Sequence, residues 1–255
     1  MFKVTFDSNV WEKVVRKETS EHEYINNQIL LGNIQPYISE IAISLESLQK
    51  KKRLEFMKGY SPKFEFEELD KALDSKIHGR MSISPNLDSH LGLHPKLKES
   101  LDLAEQLGFK VIPMTNLGTV RSPEIPNKMK VEIEDFWSFA EKLHECSNYI
   151  AEMGCGSFTY FLLKKALYMN SKRQFSEKEF SEAIAEWVDG DMLSAHYAIG
   201  NDFFCTEDRG KNAGKNSIMF STNINKVIER FDIKVCSLNE LIRLLTRKDT
   251  STKDT

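Results

Sequence analysis

Phe2-Lys3-Val4-Thr5-Phe6-Asp7, at the start of the chain, decides how the rest is read. Apolar side chains at 2, 4 and 6 alternate with Lys3 and Thr5, which is the period of a strand. Asp7 stands where that strand ends, so its carboxylate is held at a strand tip. Val10, Trp11, Val14 and Val15 then fall at helical spacing, and a second helix is expected over about Glu21 to Leu31, with Gly32 as its stop. Ile34 to Ile38 reads as a short strand, and Pro36 within it suits an edge or a strand start. Ser39 is placed to cap a following helix whose apolar stripe is Ile41, Leu45 and Leu48.

The strand-helix-strand order set here continues further on. Leu97, Leu101, Ala104 and Leu107 form a helix face, Gly108 ends it, and Lys110 to Met114 reads as the next strand. Met114 to Lys128 reads as an extended loop. A longer amphipathic helix is expected over Ile133 to Met153, with Phe136, Trp137, Ala140, Leu143 and Ile150 as its buried side. Ser176-Glu177-Lys178-Glu179 has the form of a capping box. It opens a helix with the stripe Phe180, Ala183, Ile184 and Trp187. Asp189-Gly190-Asp191 is read as a break, followed by a second helix through Leu193, Ala195 and Ala198 to Gly200. Asp202 to Thr206 is a short strand ending in Glu207-Asp208. Ile233 to Cys236 is the last strand, and Ser237 with Glu240 forms a capping box for the last helix.

Strands alternating with helices imply a mostly parallel sheet, and ligands of such sheets gather at the carboxyl ends of the strands. Asp7 and Asp208 both belong to such ends. Asp191 is harder to place, because it ends no strand and topology alone does not prove that its helix starts beside Asp208. Carboxylates crowded together repel one another and raise each other's pKa unless a cation neutralises them. Oxygen-only ligands favour Mg²⁺ or Mn²⁺ over zinc.

Composition narrows the classes. The chain has 255 residues, 40% of them hydrophobic, enough for a substantial core. Its 29% charged residues nearly cancel to a net −3, so a polyanion must meet a local patch and not a global basic field. No apolar run reaches the roughly 18 residues of a membrane span, and the N-terminus does not read as a signal peptide, which points to the cytoplasm and to no membrane partner. Cys146, Cys155, Cys205 and Cys236 lack paired zinc-site spacing and read as buried thiols. His90 and His94 have a helical spacing, but Pro85, Gly92 and Pro95 argue against a helix there.

Three strings together resemble the PIN-domain nucleases: Val4-Thr5-Phe6-Asp7-Ser8-Asn9-Val10, Asp191-Met192-Leu193-Ser194-Ala195, and Phe203-Phe204-Cys205-Thr206-Glu207-Asp208. Members of that family carry an aspartate after the first strand, a glutamate on a middle helix, an aspartate in a D-x-L/I-x-A string and a strand ending T-x-D. The resemblance covers roughly residues 1 to 55 and 175 to 246. It implies a three-layer α/β fold with a central, mostly parallel sheet flanked by helices. It also implies a division into a catalytic domain at 1–58 and 174–247, a largely helical insertion at 59–173 and a disordered tail at 248–255.

The function implied by the resemblance is metal-dependent hydrolysis of RNA, as in a toxin or an RNA-processing nuclease, with a catalytically inactive RNA-binding or protein-interaction module as the alternative. The implied ligands of Mg²⁺ or Mn²⁺ are Asp7, Asp191, Asp208 and one of Glu40 and Glu46, between which the sequence leaves the choice open. Asp189 would share the neighbourhood, and Asn9 and Thr206 would orient Asp7 and Asp208. His196 faces that neighbourhood by register. Arg209, Lys211 and Lys215 in the loop after Asp208 would hold the RNA backbone, although Gly210 to Lys215 does not fit G-x-x-x-x-G-K-[ST]. Lys50 to Arg53 reads as a solvated helix end. A homodimer or an antitoxin-like partner belongs to the same expectation. A phosphatase of the haloacid-dehalogenase kind is disfavoured, because it needs an aspartate where Asn9 stands.

Overall fold

A computed structural model describes residues 1–46, 63–68, 79–84, 93–115, 125–156, 177–208, 210 and 214–251. Five strands form one parallel sheet: β1 (Phe2–Phe6), β2 (Ile34–Ser39), β5 (Lys110–Ile112), β6 (Phe203–Cys205) and β7 (Val235–Cys236). Their spatial order is β5-β2-β1-β6-β7. The chain builds outward from β1 in one direction and then returns to its other side with β6. The order therefore reverses between β1 and β6, which makes the carboxyl ends of those two strands the topological switch point of the sheet.

Helices cover both faces. On one lie α1 (Ser8–Arg16), α2 (Ser20–Leu30), α3 (Pro95–Gln106) and α7 (Leu238–Ser251). Their core joins Trp11, Val14, Ile25 and Leu101 to Val4, Phe6 and Ile38 of the sheet. On the other face lie α4 (Phe136–Glu152), α5 (Glu177–Ile199) and α6 (Ser221–Phe231), whose core joins Leu143, Ile150, Trp187, Leu193 and Val227 to Phe204. Strand alternation divides the residues between the layers: Val4 and Phe6 face the first core, and Thr5 turns toward His196 of α5. This is the three-layer α/β architecture. Among the described residues no helix is long and apolar enough to cross a membrane.

Local chemistry fixes the helix starts. Asp7 caps α1 by accepting the Ser8 amide, and Thr19 caps α2. Pro95 occupies the first turn of α3, where a missing amide costs nothing. At α7, Glu240 accepts the Ser237 amide at 2.8 Å and the Glu240 amide reaches Ser237 Oγ at 3.2 Å, a reciprocal capping box.

Several sequence expectations are corrected. Pro36 lies in an interior strand and not at an edge, since β2 pairs with both β1 and β5. β5 pairs only with Tyr37 to Ser39, so one side of β2 is still open at Pro36 and no ladder bond is lost there. Ser39 does not cap a helix; its hydroxyl donates to Met114 Sδ at 3.2 Å, and Ala42–Glu46 forms a π-helical turn. Leu48 and Lys50 to Arg53 lie outside the described residues.

Residues 93–115 and 125–156, placed by the sequence reading within an insertion, belong to the sheet and its layers: β5 is a sheet strand, α3 packs on α1, and α4 packs along α5. Within the segment expected to be largely helical, β3 (Lys63–Glu68) and β4 (Gly79–Ser84) form an antiparallel pair. The alternation in Lys63-Phe64-Glu65-Phe66-Glu67 is its sequence signal. The buried face of α4 begins at Phe139, one turn later than expected, which leaves Phe136 49% and Trp137 81% exposed.

Two further differences concern α5 and α7. No break occurs at Asp189-Gly190-Asp191: α5 is one continuous helix of 23 residues. A Cβ at Gly190 would lie 1.5 Å from the Gly156 carbonyl oxygen, so this glycine serves a close helix-to-turn approach. At the other end of the chain, α7 continues to Ser251, where a disordered tail from 248 was expected. Ser176, the expected cap of α5, lies outside the described residues.

Candidate functional site

Asp7 follows β1 directly, and its amide donates to the Cys205 carbonyl at 2.9 Å, extending the β1–β6 ladder by one bond. That bond sets Asp7 beside Thr206, at the point where the strand order reverses. The side chain is 2% exposed. Its Oδ1 accepts the Ser8 amide at 2.6 Å and the Ser8 hydroxyl at 3.1 Å; its Oδ2 accepts Asn9 Nδ2 at 2.7 Å and the Thr206 hydroxyl. Asn9 also bridges to the chain that leaves β6, because its Oδ1 accepts the Glu207 amide at 3.2 Å. Asn9 and Thr206 therefore both act on Asp7 and tie the start of α1 to the end of β6.

Asp208 is exposed at the same edge. Its amide donates to Thr206 Oγ1 at 2.9 Å and its Oδ1 accepts the Gly210 amide at 2.7 Å. The Thr206 oxygen thus accepts from Asp208, and its hydrogen is directed to Asp7. Burial pushes the Asp7 carboxyl above its ordinary range. The Thr206 and Ser8 donors pull it back, and the negative charge of Asp208 pushes it up again.

The remaining predicted carboxylates are used elsewhere. Glu40, buried just after β2, accepts the Met114 amide at 3.1 Å and so holds the chain that leaves β5. Glu46 has its backbone in the π-helical turn, and its side chain lies outside the described part. Asp191 does not open a helix. It sits within α5, fully buried, and its Oδ2 accepts Trp187 Nε1 at 2.9 Å one turn back along the same helix. The neighbouring Cys146 thiol of α4 is pushed up to about 12 by burial, and the Asp191 charge adds to that rise. Asp189 is half-buried on α5. Among the described residues, no group of three or more His, Cys, Asp or Glu side chains is arranged to hold a metal ion.

Asp7 and Asp208 are the pair that the fold does bring together at the switch point. Among the described residues neither has a Lys, Arg or His partner. A buried carboxylate facing a like charge suits a hard divalent cation. Mg²⁺ is commonly held by one or two carboxylates, with waters and phosphate oxygens completing its shell, so a pair is a sufficient protein contribution. Asp7 already meets four donors, about the capacity of its lone pairs. A cation there must displace one of them, and the rotatable Ser8 hydroxyl at 3.1 Å is the weakest.

His196 is buried and turned away from this site, its Nδ1 paired with Thr5 Oγ1 at 2.9 Å. Burial pushes its pKa down to about 3, so it is a neutral packing residue. His94 caps α3 by accepting the Lys96 amide at 3.2 Å, and His90 lies outside the described residues. Lys215 is exposed; Arg209 and Lys211 are outside the described part. All four cysteines are buried and free.

Glu186 is the carboxylate that the sequence reading passed over. It lies on α5 and accepts the Ile218 amide at 2.9 Å, with a second hydrogen bond to Ser217. Burial raises its pKa; the Ser217 and Ile218 bonds lower it, and the charge of Asp208 raises it further. Glu179, Glu182 and Glu186 recur at helical spacing, the pattern of a solvated face, so no local signal in the sequence marks Glu186.

The fold and this site define a three-layer, parallel-sheet α/β protein with an acidic pair at its topological switch point. Comparison with protein-family models, curated proteins and solved structures finds no match to the chain.

Proposed function

We propose that the protein is a metal-dependent endoribonuclease, a toxin or an RNA-processing enzyme, working at the carboxyl ends of β1 and β6. The observation that carries the reading is the Asp7–Asp208 pair, one carboxylate buried and both without a cationic partner among the described residues, at the carboxyl ends of adjacent parallel strands. The T-x-D ending of β6 and the aspartate after β1, which resemble PIN-domain nucleases, supply the reaction class. Asp7 and Asp208 would hold Mg²⁺ or Mn²⁺, whose positive charge stabilises the charge that develops on phosphate oxygens. Thr206 and Asn9 fix the Asp7 carboxylate, and the exposed Lys215 would offer a cation to the RNA backbone. Four free, buried thiols are consistent with a reducing compartment such as the cytoplasm.

The second reading is an inactive RNA-binding or protein-interaction module that keeps the fold. The Trp187 bond to Asp191 and the full set of donors around Asp7 favour it. Cleavage of a single-stranded RNA in Mn²⁺, in EDTA, and by Asp7→Asn and Asp208→Asn separates the two. The nuclease reading expects cleavage that needs Mn²⁺ and is lost in both variants. Equal cleavage by wild type and both variants, or RNA binding without cleavage in any divalent metal, sinks it.

A further inference from the structure

The segment that leaves Asp208 comes back to it. Gly210 follows in a left-handed conformation (φ +62°), and its amide donates to Asp208 Oδ1 at 2.7 Å. Its α-carbon packs so closely on the returning chain that a Cβ there would lie 2.1 Å from the Met219 carbonyl oxygen. Met219 in turn belongs to a turn with several internal bonds. The Ser217 amide donates to the Gly214 carbonyl at 2.8 Å, the Met219 amide to Ser217 Oγ at 3.2 Å, and Asn223 Nδ2 to the Ser217 carbonyl at 2.8 Å.

That turn is fastened to α5 at Glu186, through the Ile218 amide and Ser217. One continuous set of contacts thus runs from α5 to the acidic pair: Glu186 to Ile218, along the chain to Met219, across to Gly210, and from the Gly210 amide to Asp208. The α5 side of this set is closely packed, because the Gly156 turn lies against α5 near enough to exclude a Cβ at Gly190, one turn from Glu186.

We propose that Glu186 is a positioning residue for Asp208: by fastening the Ser217–Met219 turn to α5 it fixes Gly210, whose amide aims the Asp208 carboxylate. The consequence for divalent-metal binding rests on the nuclease reading above; the consequence for the Gly210 amide does not. A carboxylate that must hold a cation gains affinity when an outer partner fixes its orientation, and loss of such a partner typically weakens metal binding about 10- to 100-fold. Glu186 acts through its acceptor oxygens, so an amide in its place serves nearly as well.

The test uses the full chain with Glu186→Ala, Glu186→Gln and Gly210→Ala. Two measurements are made: hydrogen exchange at the Gly210 amide without metal, and Mn²⁺ affinity by calorimetry with the metal alone. Glu186→Ala is expected to speed Gly210 exchange by about tenfold or more and to weaken Mn²⁺ binding by about tenfold. Glu186→Gln is expected to stay within about threefold of wild type in both, on the same basis. Gly210→Ala, which leaves both carboxylates in the chain and places a methyl against the Met219 carbonyl, is expected to weaken Mn²⁺ binding as Glu186→Ala does.

Unchanged Gly210 exchange in Glu186→Ala overturns the proposal. So does a Glu186→Gln protein as impaired as Glu186→Ala, since the charge and not the hydrogen bond would then be at work. A wild-type protein that binds no Mn²⁺ overturns the nuclease reading, and the Gly210 exchange comparison still decides the positioning of Asp208.

Discussion

Thr206 gives its hydroxyl hydrogen to Asp7 Oδ2 and accepts the Asp208 amide at 2.9 Å, so one side chain sets both members of the acidic pair. Thr206→Val keeps the shape and removes the relay. Asp7 then loses a donor in a buried place, and the Asp208 amide loses its acceptor. Each such loss costs about 1–3 kcal/mol where the group stays buried. Chemical denaturation should show Thr206→Val destabilised on that scale and Mn²⁺ binding weakened, while Thr206→Ser recovers most of both. A Thr206→Val protein as stable and as metal-competent as wild type would remove Thr206 from the site.

The Asp7 carboxyl titrates above the ordinary 3.8 because burial and then Asp208 disfavour its charge. Folding therefore makes its ionisation less favourable than in the unfolded chain. Its contribution to stability is therefore fully present below the ordinary value and is lost as pH rises through the folded value. Measured against Asp7→Asn, which keeps a good cap for α1, wild-type stability should fall across that window. Mn²⁺ should reverse the trend: it should raise the wild-type melting temperature only above the Asp7 titration, where the ligand is ionised, and leave Asp7→Asn unmoved. Equal Mn²⁺ stabilisation of both proteins at every pH would contradict a role for Asp7 in holding the ion.

Asp191 separates a structural role from a ligand role. Its Oδ2 satisfies the buried Trp187 indole N–H at 2.9 Å. Asp191→Ala leaves that donor unpaired and should cost about 1–3 kcal/mol, while Asp191→Asn keeps an acceptor and should be close to neutral. On this geometry both variants retain wild-type Mn²⁺ affinity once folded. Loss of Mn²⁺ binding in a stable Asp191→Asn protein would return Asp191 to the ligand set.

The acidic pair was legible in sequence because both members depend on local pattern. Alternation from Phe2 to Phe6 ends at Asp7, and the short apolar run Phe203 to Cys205 precedes Thr206-Glu207-Asp208. What stayed hidden depends on contacts distant in sequence. Gly190 looks like a helix breaker until Gly156 is found against it. Glu186 resembles a solvated glutamate until the turn at Ser217 and Ile218 folds onto it. Glu40 looks available until the Met114 amide claims it. Phe136 and Trp137 extend the apolar pattern of α4 by one turn, but they precede Phe139, its first buried residue. Nothing local in Lys110 to Ile112 shows that β5 joins the sheet beside β2, because pairing across a parallel sheet leaves no local mark.

Gly190→Ala tests the packing on which the α5 side of the site rests. The added methyl carbon would fall 1.5 Å from the Gly156 carbonyl oxygen and 2.5 Å from its carbonyl carbon, both backbone atoms that cannot swing aside. Alanine is the better helix former by about 1 kcal/mol, so propensity alone predicts stabilisation. The steric term is larger and of opposite sign, since overpacking a well-filled interior costs about 1–3 kcal/mol and more where backbone must move. Urea denaturation should therefore place Gly190→Ala below wild type. Because α5 must shift to relieve the contact, the variant should also weaken the Glu186–Ile218 bond and speed exchange of the Ile218 amide. A stabilised Gly190→Ala protein would mean that α5 and the Gly156 turn stand further apart than described.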